Sequence, residues 1–295
     1  MPEPHKAKLE NTLSERSRRE FYNVYEAFDW SESIPGGAYW LPPEMLTTHG
    51  TTWHGTAGEE RLHALSRWET INLFSVFCVG EADLVREIVQ RVHRPGLERY
   101  FDYFTHFIDE ENKHMWFFRR FCLTYAGKLY DFKKVGFGGE SASHLDDFLA
   151  FMKVVLFEEF GDLYNVAVIR DRSIPEAVRR VHSVHHKDEV GHILVGREIA
   201  ATLFRDHVSK LPPEEVARSL KYLKGYLHWV LESAYNPQVY QDAGFAEPYE
   251  MRVSLLGDPA RKERHRLMAD QILAHYPSIF GTQDPAGEKH VWTQR

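Results

Sequence analysis

Apolar residues recur at three- and four-residue spacing along five stretches of the chain, about residues 57–93, 96–126, 142–171, 174–209 and 213–235. That is the period of one buried face of an α-helix. Breakers stand between the stretches: Pro95-Gly96 after the first, Gly136, Gly138 and Gly139 before the third, Pro175 at the start of the fourth and Pro212-Pro213 opening the fifth. Each falls where a helix should stop or begin. A weaker helix is predicted at about 259–275, and a first one over Glu15 to Phe28, behind a polar segment at 1–14. Residues 29–56 read differently. Pro35-Gly36-Gly37, Pro42-Pro43, Gly50 and Gly55 interrupt any helical period, so an extended segment is expected, pinned to a scaffold by Trp30, Tyr39, Trp40 and Trp53. A polar tail follows from Gly281, at 281–295. Nothing alternates with period two, and the pattern predicts an all-α bundle in a single domain, 1–295, with extra N- and C-terminal helices around four long ones.

Charge interrupts the apolar stripe of each of those four. Glu81 falls among Phe74, Phe77, Leu84 and Ile88, and Glu111 with His114 falls among Phe104, Phe107, Met115 and Phe118. The third helix runs through Leu149, Met152, Val155 and Leu156 into Glu158-Glu159, and the fourth carries His185, Glu189 and His192 between Val181 and Ile199. An ionised carboxylate buried without a partner is costly, so four that converge demand cations or protons. A purely structural alternative would pair these glutamates with Arg67, Arg119 or Arg180.

Glu-x-x-His occurs three times. Glu60 to His63 sits in a charged first turn and reads as a solvated helix face. The other two copies share a plan: Glu81 precedes Glu111 by 30 residues, and Glu158 precedes Glu189 by 31. At about 100° per residue, His185, Glu189 and His192 lie within an arc of roughly 60°. One Glu from each of two helices with Glu-x-x-His from each of two others is the ligand plan of ferritin-like di-iron and di-manganese bundles. Imidazole among carboxylates favours iron over magnesium or calcium, and Cys78 and Cys122 lie off these positions. At Glu158-Glu159 the 31-residue spacing favours Glu158 while the apolar stripe slightly favours Glu159; Glu158 is the residue chosen.

The run His185-x3-Glu189-x2-His192 with Asp188 before the Glu, and Glu158 thirteen residues before Asp171, resemble the AurF-type di-iron oxygenases, relatives of p-aminobenzoate N-oxygenase. So does Leu65-Ser66-Arg67-Trp68-Glu69, twelve residues before Glu81 and preceded by Trp40-Leu41-Pro42-Pro43; the likeness covers about 38–205. Ribonucleotide reductase small subunits and multicomponent monooxygenases lack the histidine four residues before the second glutamate. The resemblance implies Glu81, Glu111, His114, Glu158, His185, Glu189 and His192 as ligands of two iron ions. It also implies O2 as co-substrate, an external electron donor such as a reductase, and N-oxygenation of a small (aryl)amine substrate in secondary metabolism. Carbon hydroxylation or desaturation on the same core is the alternative activity, and a ferritin-like iron-binding protein the alternative class. Glu110 stands where the family often has Asp. Asp188 and Glu110 are candidates to accept a proton from the outer nitrogen of a ligand histidine; His182 is expected beside the ligands and His186 exposed. Phe77, Phe107, Phe118, Phe157 and Trp116 could line an aromatic pocket.

Composition narrows the setting. With 36 Lys and Arg against 43 Asp and Glu the net charge is −7, which argues against a nucleic-acid partner. No window approaches the roughly 18 apolar residues that span a bilayer. The first residues carry no apolar signal region, and two cysteines make no disulfide framework, which fits the cytoplasm. Long apolar helix faces make a homodimer the expected assembly.

Overall fold

The computed structural model describes residues 6–131 and 143–281. In chain order its helices are α1 (Lys6–Arg19), α2 (Thr52–Ala57), α3 (Glu59–Val89), α4 (Phe101–Ala126), α5 (His144–Arg170), α6 (Glu176–Asp206), α7 (Pro213–Glu232), α8 (Pro237–Asp242), α9 (Pro248–Gly257), α10 (Pro259–Leu273) and α11 (Pro277–Phe280). Among the described residues there is no strand. The five long helices and α10 fall where the apolar period puts them. The glycines at 136, 138 and 139 and the tail beyond Gly281 lie outside the described residues.

Local chemistry sets the helix ends. Ser143 and Asp146 form a reciprocal capping box that opens α5, and Gly127, at φ 71°, supplies the left-handed residue that closes α4. Helices α7 to α11 each begin with proline, which loses nothing at a position whose N–H has no partner in the helix. The first helix differs from expectation: it spans 6–19, and residues 20–28 turn instead. Leu13 gives α1 a buried face, while Asn23 takes the Tyr25 backbone N–H into a local turn that competes with helix.

Helix α3 packs along α4, and α5 along α6; contacts of α3 with α5 and of α4 with α6 join the two pairs. α5 is the central element, buried on nearly every side and covered further by α7 and α10. Two glycines let backbones close on it. A Cβ at Gly80 would come 2.1 Å from the Phe157 ring, and one at Gly196 would come 2.1 Å from Val155. α1 lies over α4 and α6. The segment 29–56 is irregular apart from a 3-10 turn at Pro43–Met45 and the start of α2. Trp40 packs edge-on against Phe121, and the Trp40 and Leu41 N–H groups both donate to Ser66 Oγ.

Candidate metal centre

Glu81, Glu111, His114 and Glu189 have no exposed surface, and Glu158, His185 and His192 have 2% or less. Helices α3 and α5 each bring one glutamate, and α4 and α6 bring the Glu-x-x-His pairs. Two sets of candidate ligand atoms result, each lying within 4.8 Å of one another: Glu81, His114, His185 and Glu189 in one, Glu111, Glu158, Glu189 and His192 in the other. All seven residues singled out from the sequence are therefore brought together, with Glu189 common to both sets. Glu159 turns away. It accepts from Arg197 Nε at 2.7 Å and Tyr276 Oη at 2.9 Å, and lies 2.8 Å from His275 Nδ1.

Three imidazoles face inward by different atoms. His114 Nδ1 lies 3.2 Å from Glu111 and 3.4 Å from Glu189, while its Nε2 rests 3.1 Å from Asp188, which also accepts from Tyr22 Oη at 3.2 Å. His192 Nδ1 lies 2.9 Å from Glu111, and its Nε2 rests 3.0 Å from Glu110. Both carboxylates suspected from their place beside a ligand thus stand behind a histidine. His185 is reversed: Nε2 faces Glu189 at 2.9 Å, and Nδ1 meets the Asn165 amide. Asn165 carried no motif signal, and the two histidines it meets lie on another helix. His182 also reaches Asn165, at 2.8 Å. His186 is half-buried and paired with Asp162 rather than exposed, because helix rotation carries it toward α5.

The electrostatics of the cluster are those of a site built for cations. Burial drives the Glu81 carboxyl well above its ordinary value, and Glu111 and Glu189 reinforce it. Burial also raises Glu189, against the pull of His192. Glu111 goes well below the carboxylate range despite its burial, because the neighbouring Glu81 carboxyl and the His192 and His114 rings beside it favour its charged form. His114, also against its burial, is pushed up to about 10 by Glu111 and Asp188. His185 is held well below the usual imidazole range by burial. Both oxygens of Glu81 and of Glu189, one each of Glu111 and Glu158, His185 Nε2 and His192 Nδ1 are buried without a hydrogen-bond partner. Orphaned buried polar atoms are rare in native proteins, and these belong to the two sets of candidate ligands. Metal ions would satisfy them. Two arginines of the structural alternative are occupied elsewhere, Arg67 donating to the Tyr125 carbonyl and Arg180 to that of Ala27, and the third, Arg119, is exposed.

Aromatic rings wall the cluster. Phe77 and Phe118 lie 5.2 and 4.9 Å from the His185 ring, and Phe107 lies 4.2 Å from His192. Phe157 backs Phe77 at 6.0 Å. Trp116 does not join them; it is half-buried against Tyr25 and Trp30. The model of the p-aminobenzoate N-oxygenase AurF family matches residues 3–278. The chain belongs to the AurF family. It is thus an enzyme of an oxygenase family with a ferritin-like helical fold, and its substrate is a small molecule. The AurF match extends past α6 through α10, well beyond the motif-bearing region. No curated protein matches the chain. Among the described residues no helix is long and apolar enough to cross a membrane.

Proposed function

We propose that the chain is a di-iron oxygenase that uses O2 to oxidise the nitrogen of a small arylamine. One observation carries the reading: two sets of buried carboxylate and imidazole atoms sharing Glu189, on a chain of the AurF family. Glu81, His114 and His185 would hold one ion and Glu111, Glu158 and His192 the other, with Glu189 serving both. Iron bound there would supply the O2 chemistry that no side chain can carry out. The chain's own residues do the rest. Asp188 and Glu110 take the outer N–H of His114 and His192, which fixes their tautomers and aims Nδ1 at the centre. Burial keeps bulk water out, and the buried rings of Phe77, Phe107 and Phe118 make the wall beside the histidines apolar.

The reaction balances as arylamine, O2, two electrons and two protons giving arylhydroxylamine and water, with the electrons from an external donor such as a reductase. Nitrogen rather than carbon is chosen on family membership. The test is to load the protein anaerobically with Fe(II), add a reductant and 18O2, and follow a panel of arylamines by mass spectrometry. Incorporation of 18O at nitrogen is the expected result. Incorporation at carbon would transfer the reading to a hydroxylase, and iron uptake with no substrate oxidised would transfer it to an iron-binding protein.

A further inference from the structure

His185 differs from the other two histidines of the cluster in what stands behind it. His114 and His192 rest their outer nitrogen on a carboxylate, whereas His185 Nδ1 rests on the neutral amide of Asn165, 2.9 Å from Nδ2 and 3.2 Å from Oδ1. The same Oδ1 lies 2.8 Å from His182 Nδ1. Asn165 and His182 are wholly buried, and Asn165 stands two turns along α5 from Glu158, on the same side of the helix.

An imidazole that gives its Nε2 lone pair to a metal carries its proton on Nδ1, and that proton needs an acceptor. The Asn165 oxygen has two lone pairs and lies within reach of both Nδ1 atoms. Nδ2 is the nearer atom to His185 Nδ1 and also lies 3.5 Å from Asp162 Oδ1, so which amide atom serves His185 decides its tautomer. With Oδ1 on both Nδ1 atoms each ring keeps its proton there, whereas a full flip would present N–H to both rings and move both protons to Nε2. His185 could then offer no lone pair to the centre. His182 would bury an Nε2–H against the Phe74 ring, 5.0 Å away, where its Nε2 has no hydrogen-bond partner. Orphaned donors are the rarer and costlier kind. The two rings are therefore linked through one amide, and His182 selects its orientation.

We propose that Asn165 is a positioning residue: with its side-chain oxygen anchored on His182 Nδ1, it offers that same oxygen to His185 Nδ1 when His185 ligates, and so holds His185 in the tautomer that can ligate. This rests on His185 being a ligand. Ring-nitrogen NMR of the 15N-labelled, Zn(II)-loaded protein should find the proton on Nδ1 in both His182 and His185; Nε2–H on either overturns the proposal and needs no variant. Co(II) titration gives the second arm. Asn165→Asp, which keeps the acceptor, should bind two equivalents as the wild type does, whereas Asn165→Leu should weaken one of the two by roughly 10–100-fold. Two sites of wild-type affinity in Asn165→Leu, or equal losses in both variants, would overturn the positioning role and leave the metal centre standing. A wild type that takes up fewer than two equivalents would instead strike down the centre itself.

Discussion

Two adjacent glutamates on α5 do different work because one residue of helix is about 100° of rotation. Glu158 joins the cluster, while Glu159 ties α5 to Arg197 on α6 and to His275 and Tyr276 near α11. Glu158→Ala should deplete bound metal, measured after anaerobic iron loading. Glu159→Ala should keep the metal and cost about 2 kcal/mol in urea unfolding, less than a fully buried pair because Arg197 is partly exposed. The reverse outcome would move the ligand by one residue. Glu69 makes a different test, far from any metal chemistry. Burial raises its carboxyl to about 7, against the hydrogen bonds from Thr47. A raised acid contributes stability that is full below its unfolded value near 4.5 and is lost as pH rises through about 7, a change on the order of 3 kcal/mol. Glu69→Gln should therefore gain on the wild type between pH 5 and pH 8 in denaturant unfolding. A constant difference across that range would mean that Glu69 stays ionised in the fold.

At the scale of elements, the long helices were legible because each repeats its apolar stripe over many turns, and the candidate ligands stood out as charges inside those stripes. α5 shows the limit of that signal. It is buried almost all round, so no single face marks the centre, and the stripe could not separate Glu158 from Glu159. Spacing to Glu189 could. The short helices α8, α9 and α11 are too brief for a period, although each begins with proline after a residue that starts a turn or cap. Asn165 left no trace because the histidines it meets sit across a helix interface, which sequence spacing does not encode. Close approach of helices is likewise written in single glycines. Gly80→Ala would force a Cβ onto the Phe157 ring, the two residues being the chain neighbours of Glu81 on α3 and Glu158 on α5. Overpacking of this kind costs about 1–3 kcal/mol, so urea unfolding of the metal-free variant should show a loss in that range. A variant as stable as the wild type would mean that Phe157 can swing aside without moving the helices.

For the whole molecule, the centre is where folding and chemistry meet. Four buried carboxylates are contributed by four helices, so the same atoms that would hold metal also decide how closely α3, α4, α5 and α6 can pack. Several of the cluster's carboxylate oxygens have no hydrogen-bond partner among the protein's own groups. Ions that bind the folded state and not the unfolded one stabilise it by mass action. A site held at a hundred times its dissociation constant gains about 2.7 kcal/mol, and two such sites about twice that. For a chain of this size each kcal/mol raises Tm by about 2 °C, so full loading should raise it by about 10 °C. Calorimetry of chelator-treated protein against protein reloaded with Fe(II) or Co(II) under anaerobic conditions measures this directly. The rise should grow with free metal concentration, and it should shrink to a small fraction in Glu189→Ala, because that carboxylate belongs to both sets of ligand atoms. Glu81→Ala removes a member of one set and should leave about half of it. A Tm indifferent to metal, or one that responds equally in Glu189→Ala and the wild type, would mean that the four helices close on protons alone and that the cluster is not where metal binds.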